Sequence, residues 1–255
     1  MSAEWKQIIA NIKEWVKEAG AEQVKRLDQP MEVKSKSSTI DLVTEVDVWT
    51  DEFLRQKIKA SYPDHSILTE EQDFHEGASD YEWVVDPIDG TVNYAHQFPM
   101  FCISVALKYK GETVIGVVYA PKLGECYEAM KGEGAYLNGN PISVSQTDNL
   151  KAAVVATGFP YDRATDPQNN VKEFNAVILK VGGVRRTGSA AIDLCQVASG
   201  RFDGYWEYKI NPWDFEAGLL LVQEAGGKVQ KVKQEKGYFV LVGNEPIYTE
   251  LQDLL

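Results

Sequence analysis

The 255-residue sequence predicts an α/β protein in two layered parts, residues 1–146 around a mostly antiparallel sheet and residues 147–255 as an α/β unit. Three observations predict it. Two helical patterns open the chain, a run of short strands broken by turn signals follows, and strands and helices alternate from about residue 152 onward. Because 44% of the residues are hydrophobic, a chain this long can bury a substantial core without covalent staples.

Between Trp5 and Leu27, residues Trp5, Ile8, Ile9, Ile12, Trp15, Val16 and Ala19 recur at helical spacing. This predicts one amphipathic helix that closes near Gly20 or a little beyond. A second helix is expected in VWTDEFLRQKIKASYPD, stopped before Pro63, with Asp47 near its start. The segments SILTEE, YEWVVDP, FCISVALKYKGETVIGVVYAP and GECYEAMKGEGAYLNGNPISV then read as strands of an antiparallel sheet, turning at YKGE and LNGNP. After SQTDNLK come strand AAVVATGF, helix NNVKEFNAVILKVG, strand VRRTG, helix SAAIDLCQVASG, strand RFDGYWEYK, helix PWDFEAGLLLVQEAGG and strand KVQKVKQ.

Charge and composition narrow the function. Twenty-six basic against 38 acidic residues leave a net charge of −12, which repels nucleic-acid backbones and acidic membranes. Cys102, Cys126 and Cys195 are odd in number and form no CxxC pair, so neither a disulfide framework nor a thiolate zinc site is expected. Charges interrupt the apolar residues of the N-terminal stretch, and no run approaches the roughly 20 apolar residues of a membrane span, so a cytoplasmic protein is expected. His65, His75 and His96 lack metal-ligand spacing and are expected at the surface.

The chemistry is concentrated in WVVDPIDGTVNY, where an apolar strand runs into Asp86 and Asp89. Pro87 biases Asp86 toward an extended conformation, so the chain is expected to leave the strand there and turn both carboxylates to one side. Such a pair suits a hard divalent cation, with the Ile88 carbonyl as a further oxygen donor. Gly90 and Thr91 can open a helix whose free N–H groups face an anion. Asp-Pro and Asp-Gly are also ordinary turn formers, so other acids have to decide. Glu70 follows a short strand, and Asp214 enters a nearly all-apolar helix behind Pro212, which are places for further ligands or simply for a solvated turn and a dipole partner. No DxDxDG loop supports a calcium buffer.

Taken together, DLVTEVD at 41–47, TEE at 69–71, WVVDPIDGTVNYAHQFP at 83–99 and NPWDFEAGLLLVQEAGG at 211–227 resemble the signatures of the inositol monophosphatase family, in order and spacing, over most of the chain. The resemblance implies an αβαβα sandwich and Mg²⁺-dependent, lithium-sensitive hydrolysis of small phosphate monoesters by metal-activated water, in homodimers. It implies that Glu70, Asp86 and the Ile88 carbonyl hold one metal, and Asp86, Asp89 and Asp214 a second, with two or three ions per site. Gly90 and Thr91 would hold phosphate, Asp47 and Thr91 would activate water, and Glu70 would orient it. Gly188, Ser189, Ala190, Glu207, Arg186 and Lys36 would contact the substrate. Thr69, Asn211 with Pro212, and the Arg185–Arg186 pair depart from the family's usual residues. The expected substrate is inositol 1-phosphate. Alternatives are fructose 1,6-bisphosphate, the NADP 2′-phosphate, a 3′-phosphoadenosine compound, or a non-catalytic regulatory role through a protein partner.

Overall fold

The computed structural model describes residues 2–27, 29, 33–35 and 42–255; Lys36 and its neighbours through residue 41 lie outside the described residues. The first helical pattern forms α1 (Ser2–Leu27), which buries Ile8, Ile12, Val16 and Ala19 along one face. It does not close at Gly20. A Cβ there would stand 2.6 Å from Tyr119 Cε1, so this glycine answers to close packing on the sheet and the helix runs on to Leu27.

Strands β1 (Val33–Ser35) and β2 (Leu42–Thr44) pair antiparallel ahead of α2 (Glu45–Ser61), a pairing the sequence reading did not anticipate. Thr44 caps α2 in a reciprocal box with Asp47, which buries that aspartate at the helix start.

Seven strands follow in chain order across one sheet: β3 (Ser66–Thr69), β4 (Tyr81–Asp89), β5 (Cys102–Tyr109), β6 (Glu112–Ala120), β7 (Glu125–Met130), β8 (Ala135–Leu137) and β9 (Asn140–Ile142). All neighbours are antiparallel except β3 and β4. A short helix, α3 (Thr91–Ala95), links β4 to β5.

The second half supplies β10 (Val154–Thr157), α4 (Val171–Ile178), β11 (Gly183–Arg185), α5 (Ala190–Ala198), β12 (Gly204–Ile210), α6 (Pro212–Glu224), β13 (Lys228–Lys233), β14 (Tyr238–Gly243) and α7 (Glu245–Gln252). Its five strands take the order β11-β10-β12-β14-β13. The last strand and helix, β14 and α7, were not anticipated, and β14 inserts between its predecessors.

Among the described residues, three of the four hydrophobic clusters stack these elements into five layers, and the fourth packs Leu27, Val46, Ile88, Tyr94 and Phe101 together. Helices α1 and α2 bury Ile12, Val16, Leu54 and Ile58 against Trp83, Ile103 and Val117 of the first sheet. Between the two sheets, α5 and α6 share a core with Val84, Ala106, Val118, Val240 and Val242. Outside the second sheet, Val177 of α4 and Ile247 and Leu251 of α7 cover Val155, Trp206 and Leu241. Helix α6 is apolar nearly all round because it faces both sheets; each of its fully buried Leu and Val side chains contributes roughly 1.5–3 kcal/mol. The expected αβαβα sandwich is therefore the observed fold. No helix among the described residues is long and apolar enough to cross a membrane.

One histidine departs from expectation. His65 stacks on Tyr81 with ring centroids 4.6 Å apart and accepts a hydrogen bond from Trp83 Nε1 at 3.0 Å, so it belongs to a half-buried aromatic cluster.

Candidate active site

Backbone pairing places the acidic residues. Strands β3 and β4 run parallel with Thr69 opposite Val85, so Glu70 emerges beside Asp86 and its N–H donates to Val85 O at 3.3 Å. Strand β4 does not end at Asp86, as expected, but continues to Asp89. Asp86 lies opposite Ser104 and Asp89 opposite Cys102, so three steps on β4 match two on β5. That extra residue is a β-bulge. In a regular strand, residues three apart point to opposite faces. The bulge cancels the alternation, and both aspartates line one cavity of about 650 Å³. Ile88 N–H donates to Asp86 Oδ1 at 2.9 Å, and Gln23 of α1 donates to Pro87 O at 2.9 Å, which holds the bulge from both sides.

Gly90 then turns the chain at φ +96°, where a side chain would be strained and a Cβ would stand 2.9 Å from Met100 O. Thr91 opens α3, and its hydroxyl is shared between Asp47 Oδ1 at 3.0 Å and Ile88 O at 3.1 Å. Asp47 stands behind Thr91 rather than on the cavity wall; its other oxygen accepts the Thr44 N–H at 2.8 Å and the Thr44 hydroxyl.

Asp214 arrives from the opposite layer. Pro212 starts α6, and Asp214 Oδ2 accepts the Asn211 N–H at 2.7 Å, which fixes one oxygen and leaves the carboxylate on the cavity. Asp89 is held by α5: Ser189 Oγ donates at 2.7 Å and Ala191 N–H at 2.6 Å, both to Oδ2. The Ser189 hydroxyl, expected to face substrate, thus serves Asp89 and also accepts Ile192 N–H as the cap of α5. Gly188 and Ala190 line the cavity beside it.

Glu207 projects from β12 into the same space and accepts the Tyr205 hydroxyl. A Cβ on Gly158 would stand 2.1 Å from Glu207 Oε1, so only glycine leaves the carboxylate room. Arg186 lines the cavity, whereas Arg185 is turned away and donates to its neighbour's carbonyl, Val184 O, at 3.2 Å. Successive residues at the end of a strand take opposite sides, so the pair does not act together.

Burial and mutual repulsion govern the charges. Asp86 and Asp214 are pushed well above the usual carboxylate range by burial first, and then by neighbouring carboxylates that include Glu70 and Asp89. Burial raises Asp47 and Asp89 to about 6, against the hydrogen bonds that favour their charged forms, and raises Glu207 to about 7. The hydrogen-bond donors to Asp86, Asp89 and Asp214 among the described residues are all neutral.

This set of hard oxygen donors, its aspartates held by neutral groups among the described residues, fits a divalent cation such as magnesium. Among the described residues, no group of three or more His, Cys, Asp or Glu side chains is arranged to hold an ion as it stands.

Sequence reasoning missed part of the cavity. Asp193, buried in the first turn of α5, lines it and accepts Thr187 Oγ1 at 2.8 Å. Trp213, Tyr161, Arg163 and Lys209 line it as well. The signal available for two of these was GFPYDR, an aromatic and an arginine between a strand end and a helix start.

The fold and this site together define a class of protein, a phosphatase. The model of the inositol monophosphatase family matches residues 4–253. The chain is 44% identical over 212 residues to an inositol-1-monophosphatase of Synechocystis, covering 83% of this chain and 74% of that protein. It is 44% identical over 193 residues to the Nus factor SuhB of Pasteurella multocida, covering 75% and 72%. The solved inositol monophosphatase of Anabaena superposes with a TM-score of 0.88 at 38% identity, covering 98% of this chain and 96% of that one. The chain belongs to the inositol monophosphatase family. Enzymes of this family are generally metal-dependent.

Proposed function

We propose that this phosphatase hydrolyses small polyol phosphates with Mg²⁺, inositol 1-phosphate foremost, and works as a homodimer. The observation that carries the reading is the meeting of Glu70, Asp86, Asp89, Asp214 and Thr91 on one cavity, with Asp47 behind Thr91 accepting its hydroxyl. Glu70, Asp86, the Ile88 carbonyl, Asp89 and Asp214 would hold the ions, two or three per site. Bound magnesium supplies charge neutralisation at the phosphate and Lewis-acid activation of water.

The protein's own groups do the rest. Thr91 donates its hydroxyl proton to Asp47, which leaves its oxygen lone pair free to accept a hydrogen bond from the attacking water. Asp47, raised to about 6 by burial, is poised to take up the proton passed along this pair near neutral pH. Glu70, beside Asp86, orients the same water. The backbone N–H groups of Gly90 and Thr91 hold phosphate oxygens. On the far wall Glu207 accepts hydrogen bonds from substrate hydroxyls, with Gly188, Ala190 and Arg186 around the alcohol.

A panel of phosphate monoesters assayed with Mg²⁺, with and without Li⁺, tests the reading. Inositol 1-phosphate is expected to lead, with lithium lowering turnover. Preference for fructose 1,6-bisphosphate, NADP or a 3′-phosphoadenosine compound would replace the substrate and keep the chemistry. The similarity to a relative named Nus factor SuhB supports a second reading, a regulatory role through a protein partner. No turnover of any ester at any Mg²⁺ concentration would favour it.

A further inference from the structure

Beside β12, the part of the cavity rim formed by the loop after β10 is held by an arrangement that the proposed chemistry leaves unused. Residues Phe159, Tyr161 and Arg163 follow β10 and line the cavity, and Asp162 and Asp166 of the same loop turn back toward β12. There Lys209 Nζ lies 3.0 and 3.2 Å from the two oxygens of Asp162 and 2.9 Å from Asp166 Oδ2. Its side chain is only 7% exposed. Lys236 adds contacts of 3.1 Å to Asp162 and 3.4 Å to Asp166.

The backbone of Lys209 is unusual. Its φ of +60° lies in the left-handed region, which a long side chain visits only where its surroundings over-determine it. The same stretch carries the register shift of β12 against β14, between Glu207 and Ile210. A surface ion pair ordinarily contributes little, but one nearly buried ammonium shared by two carboxylates is a network. Consistent with that, Lys209 is the first cause holding Asp166 down at about 2 and Asp162 below its usual range.

We propose that Lys209 is a specificity-determining positioning residue: clamped between Asp162 and Asp166, it fixes the 159–163 rim so that Tyr161 and Arg163 meet the alcohol part of the phosphate ester in the cavity they share with the acidic wall. Because Lys209 sits two residues from Glu207, one local backbone conformation sets both the rim and the carboxylate that reads substrate hydroxyls. The inference rests on the phosphatase reading of the cavity.

The 255-residue protein is compared with Lys209→Met, the double variant Asp162→Asn/Asp166→Asn, and Lys209→Arg. Turnover is measured with inositol 1-phosphate and p-nitrophenyl phosphate, and tryptic cleavage after Arg163 is timed without substrate. For Lys209→Met and the double variant, KM for inositol 1-phosphate is expected to rise about tenfold with kcat within about twofold, since small misplacements of positioning groups are costly. KM for p-nitrophenyl phosphate, whose alcohol has no further hydroxyls to read, should move less. Cleavage after Arg163 should quicken about tenfold as the rim opens locally, and Lys209→Arg should restore most of both properties.

Unchanged KM and cleavage in an active protein overturn the clamp alone, as does a fall in kcat with KM fixed. An inactive wild type sinks the phosphatase reading and the specificity role with it. Should Lys209→Met fail to fold, the double variant on the exposed loop removes the same ion pairs.

Discussion

Asp89 lines the cavity and Asp166 sits in the loop that follows β10, and their surroundings move the two aspartates in opposite directions. Burial, opposed by hydrogen bonds from neutral donors, lifts Asp89 to about 6, while Lys209 and the Gln168 N–H hold Asp166 at about 2. Among the described residues, the buried aspartates of the acidic wall, Asp86, Asp89 and Asp214, are held by neutral donors. The rim is charge already balanced from within, by Lys209 and Lys236. The contrast teaches that an acidic residue signals function through its company: buried aspartates held by neutral donors mark a candidate site, and aspartates held by a lysine mark a scaffold.

The strongest way to break that contrast is Asp86→Asn, which keeps the acceptor for Ile88 N–H and removes one buried charge. Turnover with Mg²⁺ should fall by about 10³ or more, read as initial rate of phosphate release. The metal-free variant should melt higher than the metal-free parent, because repulsion from Glu70, Asp89 and Asp214 is relieved. A lower melting temperature would show that Asp86 stabilises the fold.

Next in size is Thr91→Val, which cuts the hydroxyl from Asp47. A loss in kcat of about 10² to 10³ with KM little changed is expected, because only proton transfer is affected.

Acidity sharpens the comparison without mutation. Asp47, Asp89 and Glu207 have raised folded-state pKa values, so the folded protein binds protons more tightly than the unfolded chain between roughly pH 4 and 7. Their stabilising contribution is therefore full at low pH and is lost as pH rises through 6 to 7. In EDTA, the melting temperature should rise by about 5 °C on going from pH 8 to pH 5.5, and saturating Mg²⁺ should flatten that slope.

The smallest effect is expected at the rim. Asp166→Asn alone should lower the melting temperature by about 2 °C or less, since Lys209 keeps Asp162 and the Asp166 carboxylate is itself partly exposed.

The acidic wall was largely legible from sequence. DPIDGT and the proline-led PWD start are short motifs in which neighbours in the chain are neighbours in space, and they put Asp86, Asp89, Thr91 and Asp214 on one cavity. Legibility failed where the deciding contact is remote. Gly20 reads as a helix stop, yet Tyr119 of β6 is the reason for it. Asp86 reads as a strand end, yet pairing with β5 carries β4 on through a bulge. Arg185 and Arg186 read as a pair, yet a strand end sends them apart.

By itself, then, the sequence determined the helical and strand segments with a strong period, the layered fold they imply, and the acids at motif positions, because these follow from local spacing and backbone preference. The tertiary structure alone decided the place of β14 between β12 and β13, the burial of Asp47 behind Thr91, and the left-handed Lys209 clamped by a loop more than forty residues upstream. Those depend on which distant strands pair and which charges are desolvated together, and no window along the chain contains both partners.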